Sequence, residues 1–296
     1  MPLSALQSIR TQSPDGRIIE KIGINPIKRF VRGYWVVSDP LTSALAAQGT
    51  AGDSANLRFS IDTQGHFDWA YVIGNSTAAF SIEFYDAQKN RLLQNRPVHS
   101  SGVVGPAIRP FRLPKPYFFN VGDSEREITA VIRNLSPLPN TVRISLYGRR
   151  FYHKEMPPDM ARDVERRFDE GEREYSFWLV PKETAFDGTV PAIAAGARAT
   201  LTFETDNKAD IEIDKVMLSS DGLFDYQLRC GDRSLKSWSN GDVESSSGFG
   251  DALFPFILGD SFLLERKRQI LLEIRNTGVA PISVFATASG KQMQYR

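Results

Sequence analysis

Carboxylates and imidazoles are where catalysis would show first in this chain, and they are sparsely arranged. Glycoside hydrolysis needs two carboxylates facing each other across a cleft, and Asp68 and Glu83, on neighbouring predicted strands, are the pair to weigh. Their neighbours are basic or apolar and no pattern singles them out. Asp206, Asp210, Glu212 and Asp214 crowd near a turn as a calcium loop would, but without its central Gly and terminal Glu, so they read as solvated strand-face groups. Three histidines, His66, His99 and His153, are too few and too scattered for His-rich metal binding, and are placed in turns or at the head of a connector. The single cysteine, Cys230, excludes an internal disulfide and a cysteine zinc cluster. Ser247-Gly-Phe-Gly250 lacks the following helix and Lys of a phosphate loop, and there is no G-x-S-x-G elbow or H-E-x-x-H helix. The residues therefore assign no catalytic group, no metal ligand and no cofactor.

Recognition without chemistry is better represented. Trp238 lies in the polar loop Lys236-Ser-Trp-Ser-Asn-Gly241, where an aromatic can stack on a sugar ring or fill a partner's pocket. Trp35 and Trp178 occupy equivalent places in two sequence repeats, which favours a core role for both, and Trp69 falls in an alternating core strand. Residues 1–33 carry a net charge of +4, and Arg17, Lys21, Lys28, Arg29 and Arg32 are candidate contacts for an anionic or neighbouring protein surface. Glu265-Arg-Lys-Arg268 is too small a basic cluster to recognise nucleic acid.

The elements that hold these residues follow from an internal repeat. Tyr34-Trp-Val-Val37 recurs as Phe177-Trp-Leu-Val180, Leu57-Arg-Phe59 as Leu201-Thr-Phe203, and Phe80-Ser-Ile-Glu-Phe84 as Phe224-Asp-Tyr-Gln-Leu228. Pro110-Phe111 is matched by Pro255-Phe256, and Ile128-Thr-Ala-Val-Ile-Arg-Asn134 by Ile270-Leu-Leu-Glu-Ile-Arg-Asn276, always in the same order. After the last pair, each copy has a Pro-containing turn and a strand expected to end at Gly148 or Gly290. Within each copy apolar residues alternate, as at Phe67, Trp69, Tyr71 and Ile73 or at Ile270, Leu272 and Ile274. That period of two puts one side of each strand in a core.

Many short strands of this kind predict an all-β chain of two tandem antiparallel β-sandwiches of jelly-roll type, arising from an internal duplication. The expected organisation is a basic arm over 1–33, a sandwich over 34–151, a charged connector over 152–176 and a second sandwich over 177–296. In the connector, Met160, Val164 and Phe168 form one apolar stripe at helical spacing, so a short helix is expected to dock between the sandwiches or on a partner. With 36 Lys+Arg against 35 Asp+Glu in 296 residues, the net charge of +1 gives no field to recruit nucleic acid or an anionic membrane. Residues 1–10 lack the basic and apolar run of a secretory signal, and a cytoplasmic site of assembly is expected.

One stretch resembles a known group. Ala107-Ile-Arg-Pro-Phe-Arg-Leu-Pro-Lys-Pro-Tyr-Phe-Phe119, Ile128-Thr-Ala-Val-Ile-Arg-Asn-Leu-Ser136 and Val142-Arg-Ile-Ser-Leu-Tyr-Gly-Arg-Arg-Phe151 resemble virion structural proteins of tailed bacteriophages, with a weaker form at Pro255, Ile274-Arg-Asn276 and Gly290. The resemblance implies a non-enzymatic head, neck, collar or decoration component. It would assemble in the host cytoplasm and contact copies of itself and other virion proteins, with no specific nucleic acid and no membrane. A carbohydrate-binding or host-attachment module using Trp238 is the alternative, and a glycan-active enzyme on the same fold is a third.

Overall fold

The computed structural model describes residues 6–12, 18–24, 30–39, 44–123, 126–171, 173–205, 209–230, 241–245, 250, 255–265 and 268–294. Strands β1 (Leu6–Gln12) and β2 (Ile18–Ile24) pair antiparallel in a sheet of their own. The first sandwich follows with β3 (Val31–Val37), β4 (Ser54–Ser60), β5 (His66–Ser76), β6 (Phe80–Asp86), β7 (Arg91–Leu92), β8 (Val98–His99), β9 (Phe111–Phe119), β10 (Glu127–Asn134) and β11 (Val142–Phe151). Helix α1 (Pro158–Gly171) leads to the second sandwich: β12 (Glu174–Leu179), β13 (Arg198–Glu204), β14 (Ala209–Ser220), β15 (Phe224–Cys230), β16 (Val243–Glu244), β17 (Phe256–Leu264), β18 (Gln269–Asn276) and β19 (Val284–Gln294).

The two sandwiches share one strand order. The first has sheets β3-β11-β5-β9 and β4-β10-β6-β7, with β8 also on β6; the second has β12-β19-β14-β17 and β13-β18-β15-β16. Consecutive strands cross between facing sheets, which is jelly-roll connectivity, so the chain is all-β with two such units. Period-two alternation does the rest: along β10, Ile128, Ala130 and Ile132 are fully buried while Val131 between them faces outward.

The repeated Asn has a specific task. Asn134 Nδ2 donates to the carbonyls of Ala46 (2.7 Å) and Leu138 (2.8 Å), and its Oδ1 accepts from the Ser136 amide (3.0 Å). Asn276 repeats the pattern with the carbonyls of Ile193 (2.9 Å) and Ala280 (2.8 Å) and the Gly278 amide (2.8 Å). Each fully buried amide thus ties the loop groups on both sides of its turn and has its own bonding met. The glycines differ from expectation: β11 and β19 run through Gly148 and Gly290 rather than ending there. Adjacent strands shift register at these points, and a Cβ would run into the carbonyl of Asp68 or of Glu212, so only glycine fits.

Two further expectations need correction. The stripe Met160, Val164 and Phe168 is not free for a partner protein. Val164 and Phe168 are buried and Met160 is partly buried against Phe118, Phe151 and Met156 of the same chain, with the Phe168 ring 5.0 Å from Phe118 and 5.2 Å from Phe151. Nor are the two cores separate, because one apolar cluster runs through both sandwiches. Trp178 of β12 joins them, its ring 5.6 Å from Phe84 and 6.0 Å from Phe111 of the first sandwich.

Candidate functional site

The carboxylates weighed for hydrolysis are on opposite sheets, not neighbouring strands: Asp68 on β5 and Glu83 on β6. Asp68 is fully buried and ion-paired with Arg149 of β11, whose Nε stands 2.9 Å from Oδ2 and whose amide donates to Oδ1 at 2.9 Å. Burial pushes the Asp68 carboxyl up, against the pull of the Arg149 charge. At the matching register of the second sandwich, Glu212 pairs with Lys291 at 2.8 Å, so the position is a structural ion pair in both copies. Asp210 is buried on β14, and burial raises the carboxyl of Asp214; Asp206 lies outside the described residues. Among the described residues no three His, Cys, Asp or Glu side chains form a metal-binding group, and no helix is long and apolar enough to cross a membrane.

The histidines are packed rather than presented in turns. His66 opens β5 with its ring 4.7 Å from His153 and 4.9 Å from Phe168, and its Nδ1 accepts from the Val121 amide. Burial lowers the His66 pKa, and the neighbouring His153 lowers it further. His99 of β8 stacks at 3.9 Å on Phe285 of the second sandwich, and burial pulls its pKa down to about 4. Nearby, Arg150 is buried over the Tyr34 ring and pairs with Asp62, and Arg126 donates to the Gly65 carbonyl at 2.8 Å. A cleft of about 470 Å³ beside Arg126 is lined by Ser60, Ile61, Thr63, Ala87, Gln88 and Glu127.

The junction between the sandwiches is built from the outward face of the β12 sheet. Trp178 reaches across the side of the first sandwich between β6 and the edge strand β9, and its amide donates to the Leu93 carbonyl at 2.9 Å. Asn95 brackets the next residues, donating from Nδ2 to the Val180 carbonyl (2.8 Å) and accepting from the Val180 amide (2.7 Å). Lys215 Nζ donates to the Arg112 carbonyl at 2.5 Å and lies 5.1 Å from the Phe111 ring centre. Ser176, Val180, Thr287 and Ser289 complete a face that is wholly buried.

Among the described residues, none covers Trp35 and Val37 on the same face of the first sandwich. Register pairs Trp35 with Tyr147, and Tyr147 with Tyr71, just as Trp178 pairs with Ser289 and Ser289 with Lys215. Trp35 was expected in the core, yet it is 49% exposed, with its ring 4.8 Å from that of Tyr147. Tyr71 stands 6.0 Å from Tyr147 on the other side, completing a cross-strand aromatic row. Val37 beside it is 66% exposed, and Arg32, Arg112 and Arg143 are exposed around the row. The signal was present in the sequence: Tyr34 and Val36 point inward, so alternation sends Trp35 outward, and equivalence with Trp178 holds because that residue also lies outside its own sandwich.

Of the other recognition candidates, Arg32 and Lys21 fall on described strands. Arg32 sits within β3, where its Nη1 donates to the Val31 carbonyl at 3.1 Å, and Lys21 falls on β2. Arg17, Lys28, Arg29 and Trp238 lie outside the described residues.

No family model matches the chain, and no curated protein matches it. Solved structures do. Recombinant N-glycanase F is 7% identical with a TM-score of 0.44, covering 88% of this chain and 96% of that one. The major capsid protein P2 of bacteriophage PM2 is 8% identical with a TM-score of 0.46, covering 90% and 98%. The Faustovirus major capsid protein is 7% identical with a TM-score of 0.38, covering 90% and 91%. Likenesses this slight lend the chain neither an enzyme's activity nor a capsid role.

Proposed function

We propose that the chain is a non-enzymatic structural component of a virion, of the tailed-phage head, neck, collar or decoration kind, assembled in the host cytoplasm. On this reading it works by packing against copies of itself and against capsid or connector subunits. The observation that carries the reading is the contrast between two equivalent sheet faces, one with Trp178 buried within the chain and the other with Trp35 exposed beside the partly buried Tyr147 and Tyr71. Aromatic anchors rimmed by arginines are the composition of protein–protein contacts. Two further facts support it. The buried carboxylate of Asp68 is held in an ion pair repeated in the second sandwich, a structural use rather than a catalytic one. Two of the strands that carry the sequence resemblance over 107–151, β9 and β11, also belong to the sheet that presents this face.

Antibody raised against the purified chain tests this. It should label particles that band together in a density gradient, with the chain found in them by mass spectrometry. A chain that never bands with particles overturns the reading. So does a purified chain that hydrolyses glycans or glycopeptides. Glycan-array binding lost in Trp238→Ala would instead make it a host-attachment module.

A further inference from the structure

We infer that one end of the molecule, where the turns after Asn134 and Asn276 lie, dips into the surface of a lipid bilayer. The inference goes beyond the virion reading and does not rest on it.

Register defines that end. In the first sandwich, Asn134 at the finish of β10 lies opposite Phe80 at the start of β6, and Val142 at the start of β11 opposite Ser76 at the finish of β5. In the second, Asn276 lies opposite Phe224 and Val284 opposite Ser220. The junction brings the two ends to one side. His99, paired with Ser81 beside the start of β6, stacks 3.9 Å from Phe285 beside the start of β19. Deeper along the same junction, Phe111 at the start of β9 faces Trp178 near the finish of β12, and Tyr117 faces Tyr175.

The six most exposed large apolar side chains among the described residues are all at this end, from Val279 at 100% to Leu223 at 62%. Leu138 and Val279 are in the two equivalent turns, Leu223 in the turn between β14 and β15, and Val37 at the finish of β3. Ile108 is in the loop entering β9. The loop of Phe186 is tied here by Ser81 Oγ, which donates to the Asp187 carbonyl at 3.1 Å.

Single apolar residues scattered over a surface need no explanation, but confinement of the most exposed ones to one end does. Five of the six are aliphatic, and they come from separate strand ends and loops. Protein contacts draw most of their energy from Trp, Tyr and Arg seated in pockets, with Leu and Val under-represented. A bilayer interface needs no matching pocket and takes up any apolar side chain that reaches it. Exposed Arg109, Arg143, Arg198 and Arg275 share the end with exposed Asp39, Asp221 and Asp242, so charge there is mixed. The attraction is therefore apolar. The net charge of +1, which gives no pull toward an anionic membrane, does not bear on it.

Flotation of the full chain with phosphatidylcholine vesicles tests the inference. Wild type should rise with the vesicles. Val279→Asp and Leu138→Asp, one in each sandwich, should each weaken binding by about tenfold or more, as loss of one inserted aliphatic side chain does. Leu92→Asp should leave binding unchanged, because Leu92 is exposed at the opposite end, paired with Tyr85 near the finish of β6. All three side chains are exposed, so the variants should fold, which circular dichroism checks. A wild type that stays below the vesicles at every lipid concentration overturns the inference. So does binding that needs anionic lipid and vanishes in high salt, or that Leu92→Asp weakens as much as Val279→Asp. Self-association without lipid, lost in Val279→Asp, would mean that this end meets a second copy, and overturns it too. Particle banding bears on the virion reading alone, so either can fail without the other.

Discussion

On the β12 face, Trp178 has no exposure at all and Val180 has 2%; at the matching positions of the β3 face, Trp35 and Val37 are 49% and 66% exposed. The residue types follow this difference. The covered face carries Ser176, Thr287 and Ser289, small enough for backbones to approach closely, and a Cβ at Gly102 of the first sandwich would lie 2.7 Å from Thr287 Oγ1. The uncovered face carries Tyr147 where its counterpart has Ser289. An internal contact already has its two halves tethered, so close fit suffices. A contact between separate chains must offset lost translational and rotational freedom, which favours a few large anchors. On the proposed reading, one kind of sheet face serves two uses.

The largest test of this contrast is to truncate both tryptophans. Trp178→Ala should cost about 3–5 kcal/mol, as removal of a fully buried aromatic does, while Trp35→Ala should cost under about 1 kcal/mol of folding stability. Urea unfolding of the two variants side by side gives the answer, and equal losses would erase the distinction between the faces. The repeated Asn residues test the equivalence of the halves. Asn134→Ala and Asn276→Ala should each lose about 2–3 kcal/mol, because each removes three hydrogen bonds made by a fully buried side chain; a large loss in one alone would mean the two turns are not the same device.

Acid should weaken the internal junction through His99. Its pKa is lowered from 6.5 to about 4 in the folded chain, so the unfolded chain binds the extra proton first. Stability is therefore full above pH 6.5 and falls as pH drops from there through about 4. Thermal unfolding across this range should show the decline, and His99→Phe should flatten it while keeping a stack on Phe285. His66 and His153, also lowered by burial, add in the same direction. The smallest effect belongs to Val37→Ser, expected within about 0.5 kcal/mol of wild type by urea unfolding because the side chain is mostly in water. A large loss there would show that the face is covered within the chain.

Much of this architecture was legible before any coordinates. The motif ending in Asn134 and Asn276 marked both copies because its Asn performs the same bonding in each. Alternation at Ile128, Ala130 and Ile132 placed the core. The stripe of Met160, Val164 and Phe168 marked one apolar helix face, but periodicity carries no information about whether the surface it meets belongs to the same chain. The site was harder to read. Asp68 and Glu83 follow each other closely in sequence, yet jelly-roll crossing puts them in opposite sheets.

By itself, the sequence determined the strands, their inward and outward sides and the doubling of one strand plan. Those properties depend on local period and on residues of like type repeated in order. Only the tertiary structure decided that Trp178 lies buried against Phe84 and Phe111 while Trp35 stands open. Exposure of an outward-facing residue depends on what packs over its sheet, and that is set by how two separately folded faces fit, not by the period of either strand.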